Sequence, residues 1–410
     1  MLRIDDGKIH VDYQDPYLAL TSLLVDAATL EHSLMASYLY ALFSIKEEHD
    51  DLRGSLSPAL FQPQPPTESS GELVAPPQLT FLEVTIEEMQ HLALVNQLLR
   101  ELGAAPCLER HPFPFVCEIY PFPLELRSLD RYAAATYAWI EASSTDVNLG
   151  YKAEGMAFRE SLRQVIEEGR RAAGALPPAL VAAGAVVPRE HIGSLYTRIL
   201  ECLQILRHDP PAFLSPEFPW GIWTDRVRWI RDQGELRHFA FFRDVFTGKA
   251  FGADVEIWSD PISKNYPSIS LPWRTAFSNR SDSIERGPQR DLAWLANLIY
   301  WTLLALLDVA YRRGARKLVY GAIEQMTSAL WWLGLQLARE YGVGMPFDVM
   351  LVRYTLGRDD ASTLAIIQRL VHEAKTRAKP LAKAGLLPIL FDMQLFDRTL
   401  AALEDPGWSR

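Results

Sequence analysis

Cysteine is scarce in this 410-residue chain: Cys107, Cys117 and Cys202 are its three thiols, and no Cys-x-x-Cys pair occurs. An odd count at those spacings excludes a disulfide framework and a cysteine zinc site, and it fits a reducing, cytoplasmic setting. Basic residues are in deficit too, 41 Lys and Arg against 51 Asp and Glu, for a formal charge of −10. The acidity is diffuse, and no basic face is available to displace counterions from phosphates, so no nucleic-acid partner is expected. The opening stretch MLRIDDGKIHVDYQDPY lacks the basic segment and apolar run of a secretory signal. The most apolar window, Leu292 to Val309, is interrupted by Asn297, Thr302 and Asp308. It falls short of the roughly 20 residues that span a bilayer, so it reads as a buried helix and no membrane partner is expected.

What is present is helical periodicity. After Pro16, Leu23, Leu24, Ala27, Leu30, Leu34, Tyr38 and Leu42 recur at the spacing of one helix face over 16–47. A second run over 79–102 stops at Gly103, and a third covers about 129–143. Between them, prolines 112, 114, 121 and 123 force 103–128 into irregular or extended chain, which is expected to cover the site. Residues 149–190 read as a helical excursion and a connection, followed by helices from about 191 and over 223–247. Glycine and proline punctuation over 251–290 marks an irregular linker. Beyond it, 291–312, 315–341, 358–384 and 387–404 are helical again, with Trp294, Trp301, Trp331 and Trp332 expected in the core. The expectation is an all-α protein: a bundle over 1–250, the linker, and a second helical domain over 291–410.

In the first part, carboxylates and histidines stand where a helix should turn apolar residues to its neighbours. Glu31 lies on the stripe Ala27, Leu30, Leu34, Tyr38. Glu88 and His91 are three apart in VTIEEMQHLALVNQLL, hence on one helix face, and Glu235 and His238 repeat that spacing in WIRDQGELRHFAFFRDVF. Two Glu-x-x-His pairs on separate helices, with an inward Glu on a third, match the ligand set of a di-iron or di-manganese carboxylate bundle. Two hard divalent ions require several carboxylate oxygens and an imidazole each, and metal explains why buried carboxylates are tolerated. One more carboxylate is needed. Glu141, Glu190 and Glu201 are the candidates, with Glu141 favoured by the apolar stripe before it. Glu83, Glu87 and Glu101 read as solvated face, and His32, about 100° round the helix from Glu31, as a non-ligand. Tyr38, on the face of Glu31, is the candidate catalytic side chain.

The segments LEHSLMASYLYALFSIK, IEEMQHLALVNQLLRELGAAP, HIGSLYTRI and IRDQGELRHFAFF resemble the ferritin-like iminophenyl-pyruvate dimer synthase domain of the violacein and chromopyrrolate biosynthesis enzymes. The resemblance covers roughly 16–250 and continues weakly into the C-terminal helices. It implies a ferritin-like di-metal bundle in which Glu31, Glu88, His91, Glu141, Glu235 and His238 are metal-site positions. It also implies two iron ions, or iron and manganese, with O2 or peroxide as co-substrate. A small aromatic amino-acid-derived substrate follows, with a homo-oligomer or a biosynthetic oxidase as partner. The chain departs from the family at Ser194, where Glu or Gln often stands, and in the insertion-like stretch 149–190. A ferroxidase or metal-sequestering protein and a non-catalytic scaffold are the rival readings.

Overall fold

The computed structural model describes residues 4–5, 8–56, 79–117, 119–142, 153–173, 192–349 and 359–404. The helices that position the site are opened by local signals. Asp15 accepts from the Leu18 amide and Pro16 takes the first turn of α1 (Pro16–Ser44), where a missing N–H costs nothing. Thr80 and Glu83 form a reciprocal capping box at the start of α2 (Phe81–Glu101). Asp130 accepts from Ala133 at the start of α3 (Arg131–Glu141).

There follow α4 (Ala153–Ala173), α5 (Ile192–His208), α6 (Trp220–Gln233) and α7 (Phe239–Phe246). Residues Gly234–His238 join α6 to α7 as a π-helical turn, so the expected helix over 223–247 is one rod with an overwide turn inside it. The C-terminal part comprises α8 (Pro288–Arg313), α9 (Arg316–Gln325), a second π turn (Met326–Leu330), α10 (Trp331–Tyr341), α11 (Asp360–Lys383) and α12 (Leu395–Glu404). The last helix starts eight residues later than the 387 expected, because 387–394 run as turns in which Asp392 accepts from the Gln394 amide. Among the described residues, strand is limited to two-residue antiparallel pairs, Ile4–Asp5 with Lys8–Ile9 and Phe115–Val116 with Pro123–Leu124.

From Leu30 to Ser44 every residue of α1 is buried, as a helix surrounded by others must be. It packs on α2, α5 and α10, and α3 packs on α7. The buried apolar residues form one cluster running from Leu20 through Phe43 and Trp331 to Leu395, so both parts share a core. At the seam Phe43 meets the Trp331 ring, and Gly334 faces Phe43 so closely that a Cβ there would lie 2.5 Å from the ring. The irregular stretch 251–290 is fastened to the first part. Ile269 N–H donates to the Ser44 carbonyl, Leu271 N–H to Ser128 Oγ, and Tyr40 Oη to the Leu271 carbonyl. Trp301 and Trp331 are buried, whereas Trp294 and Trp332 are half-buried at the edge of that core. By length and composition α8 could cross a membrane, but most of its apolar stretch is buried inside the molecule.

Candidate metal centre

Five ionisable side chains converge between α1, α2, α3 and the π turn. Glu31 comes from α1, Glu88 and His91 from α2, Glu141 from the last residue of α3, and His238 from the end of the π turn; each is at most 2% exposed. They form two groups, Glu31–Glu88–His91 and Glu88–Glu141–His238, each with ligand atoms close enough to hold one metal ion. Glu88 belongs to both. Its Oε2 lies 3.1 Å from His91 Nδ1, and its Oε1 lies 2.8 Å from His238 Nδ1. On the outer flanks Glu31 Oε2 is 3.6 Å from His91 Nδ1, and Glu141 Oε2 is 3.7 Å from His238 Nδ1.

The far nitrogen of each imidazole is held by another side chain. His91 Nε2 donates to Gln233 Oε1 at 2.8 Å, and His238 Nε2 to Glu87 Oε2 at 2.7 Å. With Nε2 carrying the proton, the lone pair of the neutral ring sits on Nδ1, pointed at the carboxylates; this is the tautomer a ligand needs. Glu87 is also paired with Arg237 at 3.0 Å. The expectation that Glu87 belongs to the solvated face is therefore corrected.

Burial raises Glu31 to about 8, helped by the charge of Glu88 and opposed by His91. Burial would raise Glu88 too, but His91 and His238 outweigh it and hold this carboxyl well below the usual range. Burial disfavours the charged form of His91, yet Glu88 and Glu31 lift it to about 10, and Glu88, Glu141 and Glu87 lift His238 well above an ordinary histidine. Without metal, the cluster thus keeps protons on its imidazoles. Even so, Glu31 Oε2, Glu88 Oε1 and His238 Nδ1 are buried and make no well-aligned hydrogen bond among the described residues, their nearest polar neighbours being the other charged members of the cluster. Buried polar atoms held only by poorly aligned contacts are costly, and their arrangement in two carboxylate–imidazole groups fits cations that would bind them.

Tyrosines enclose the centre. Tyr38 Oη donates to Glu141 Oε1 at 2.6 Å, and Tyr196 Oη to Glu31 Oε1. Tyr120 Oη is buried without a partner among the described residues. Its ionisation is pushed far up by burial and then by surrounding anionic groups that include Glu141, Glu31 and Glu88. Tyr120 comes from the proline-rich segment after α2, as a cover for the site requires. The Tyr38, Tyr137 and Phe242 rings pack together behind Glu141, at centroid distances of 4.7 Å for Tyr38–Tyr137 and 4.9 Å for Tyr38–Phe242.

Of the six expected ligand positions, the structure brings Glu31, Glu88, His91, Glu141 and His238 together and sets Glu235 apart. Glu235 is half-buried and in neither group. A π turn advances less than 100° per residue, so a pair three apart within it no longer shares a face as it would in an α-helix. Gly234, which opens this turn, makes room for Glu141: a Cβ there would lie 2.9 Å from Glu141 Oε2. Among the alternatives to Glu141, Glu201 is exposed and paired with Arg198, and Glu190 lies outside the described residues. On α5 the residue that reaches the cluster is Tyr196, two positions after the half-buried Ser194. His32 turns away, its Nδ1 2.9 Å from the Leu108 carbonyl and its Nε2 against Tyr300 Oη at 2.5 Å. Burial and then Arg110 push it down to about 3, a neutral core histidine.

No curated protein and no solved structure matches the chain. A family model described as Ferritin-like matches residues 24–213, which span Glu31, Glu88, His91 and Glu141 and stop short of His238. That match covers a little under half of the chain; with the helical architecture it shows an all-α fold whose first part is similar to ferritin-like domains.

Proposed function

We propose that the chain is a non-haem di-metal oxidoreductase that uses O2 or peroxide to oxidise a small aromatic metabolite derived from an amino acid. The observation that carries the metal reading is the pair of buried carboxylate–imidazole groups sharing Glu88. Glu31, Glu88 and His91 would hold one ion, and Glu88, Glu141 and His238 the other. Iron, or iron with manganese, suits this set of carboxylate oxygens and imidazole nitrogens. When bound, the ions supply the redox chemistry that no side chain here possesses.

The protein's own groups do the rest. Gln233 and Glu87 hold each imidazole in its ligand tautomer, while Tyr38 and Tyr196 orient Glu141 and Glu31. The Tyr120 hydroxyl, buried without a partner among the described residues and under the influence of Glu141, Glu31 and Glu88, would donate a proton to a small molecule at the centre. Tyr38 is fully buried and already bonded to Glu141, so its role is to hold that carboxylate. The substrate class is supported by the resemblance of the ligand-bearing segments to the dimer synthase domain; an amino-acid oxidase that generates an aromatic imine is the partner reaction this implies.

The test has two stages. Protein reconstituted with ferrous iron is assayed for metal by mass spectrometry, with about two ions per chain expected. Oxygen uptake is then followed with aromatic amino acids, with the imino acids an oxidase makes from them, and with aliphatic analogues. Acceleration by the aromatic compounds alone is expected. Uptake indifferent to all of them, with iron oxidised and mineral accumulating, would instead favour a metal-handling protein.

A further inference from the structure

The side of α2 that faces away from the metal ligands borders a cavity of about 500 Å³ closed by α1, α6, α8, α9 and the second π turn. Gln97 stands nine residues after Glu88, about 180° round the helix, so the cavity and the metal groups occupy opposite sides of α2. From Ile86 to Gln97 the wall extends about 16 Å along the axis. The two ends differ in chemistry. At the Ile86 end the lining is Leu39, Met326 and Leu330. At the other, Gln97, Arg226 and Tyr311 line it, near the point where Arg100 donates to the Tyr311 carbonyl and Trp223 donates to Glu101.

The polar end has side chains without protein partners among the described residues. Arg226 is half-buried, its guanidinium 4.6 Å over the Trp223 ring, and no carboxylate among the described residues pairs with it. The Gln97 side chain has no hydrogen-bond partner among the described residues either. A cation fixed against an aromatic face, beside an idle amide and at the end of a long aliphatic slot, is complementary to a carboxylate on an apolar tail. The three methionines in the wall, Met35, Met89 and Met326, adapt to a flexible tail more readily than to a rigid one.

We infer that this cavity is a second ligand site, separate from the metal groups, that takes an elongated apolar monocarboxylic acid with its carboxylate on Arg226 and Gln97. A fatty acid and an aryl-substituted acid share that chemistry. The aliphatic lining favours the fatty acid. Trp229 lines the cavity and meets the His91 ring edge-on at 5.7 Å, which links the site to the metal region.

The experiment titrates the full chain, metal-free and iron-loaded in parallel, with dodecanoate, dodecanol and indole-3-propionate. It reads heat by calorimetry and tryptophan emission. Saturable binding of one dodecanoate per chain is expected in both forms, with a change in tryptophan emission. Dodecanol and indole-3-propionate should each bind at least about tenfold more weakly than dodecanoate, the first for want of a charge-assisted hydrogen bond. Arg226→Met, which keeps an apolar stem against Trp223, should weaken dodecanoate to the level of dodecanol and leave dodecanol unchanged. Tighter binding of indole-3-propionate would assign the site to aryl acids and overturn the fatty-acid choice. Equal binding of dodecanoate and dodecanol, or no saturable binding, would overturn the site. Because the metal-free form is assayed, this outcome is independent of whether the di-metal reading holds.

Discussion

Two buried polar clusters in this chain are built on opposite rules. In the C-terminal part, Asp348 Oδ2 accepts from the Ala276 amide at 2.9 Å and from Asn297 Nδ2 at 2.8 Å, and Asn297 Oδ1 accepts from the Asp348 amide at 3.2 Å. Trp301 Nε1 caps the Asp348 carbonyl at 2.8 Å. These groups satisfy one another and hold α8 to the chain after α10. In the N-terminal part, Glu31, Glu88 and His238 each keep an atom with no well-aligned hydrogen bond among the described residues, although Gln233, Glu87, Tyr38 and Tyr196 tie down the other side of the cluster. A closed network is structural; one satisfied everywhere except towards its own centre is arranged around something it receives. The histidines make the same contrast: His32 is bonded at both nitrogens and held neutral, whereas His91 is lifted to about 10 by carboxylates.

The sharpest way to break this contrast is to delete the shared member of one cluster and a central member of the other. Glu88→Ala should take the metal content from about two ions per chain to near none, with the fold retained by circular dichroism. Asp348→Ala should leave the metal content unchanged and lower unfolding stability by about 1–3 kcal/mol, since Asn297 and the Ala276 amide lose their partner. Equal metal content in Glu88→Ala and the parent would erase the distinction.

The histidines provide the next test. His91→Ala and His238→Ala should each lose metal, while His32→Ala should retain it and unfold about 2–3 kcal/mol more easily in denaturant titration. Because the folded His32 is depressed to about 3, its stabilisation is present above the ordinary histidine pKa of about 6.5 and is lost as pH falls below it. The stability of His32→Ala should accordingly vary less with pH between about 6.5 and 3 than that of the parent.

Gly234→Ala should have a narrower effect. The added methyl would meet the end of the Glu141 side chain and no backbone atom, so it should displace one ligand without unfolding the bundle. About one ion per chain is expected, retained at Glu31, Glu88 and His91. The smallest effect is protonic. With His91 and His238 raised, the metal-free cluster holds protons that metal must displace, so loading in weak buffer should acidify the solution and affinity should rise with pH.

The helices were legible in the sequence because their period and punctuation are local: Pro16 opens α1 and Gly103 stands just past the end of α2, as their positions in the sequence imply. Within the site, Glu31, Glu88 and His91 could be read for the same reason, each lying on the face of an uninterrupted α-helix. Glu235 could not, because nothing in WIRDQGELRHFAFF announces a π turn, and α-helical spacing assigns it the face of His238. The glycine before it is the one available hint. Gln233, Glu87, Tyr120 and Tyr196 escaped because their roles depend on contacts between elements far apart in the chain, such as His91 with Gln233. The docking of 251–290 on α1 and on the residues just before α3 likewise is not betrayed by its irregular sequence.

Anomalous diffraction at the iron edge, from crystals of the ferrous-loaded chain, tests the shared role of Glu88 most directly. Two peaks are expected, one among Glu31, Glu88 and His91 and the other among Glu88, Glu141 and His238, with Glu235 touching neither. A single peak, a peak ligated by Glu235, or none at this cluster would contradict the assignment of Glu88 as the carboxylate between two ions.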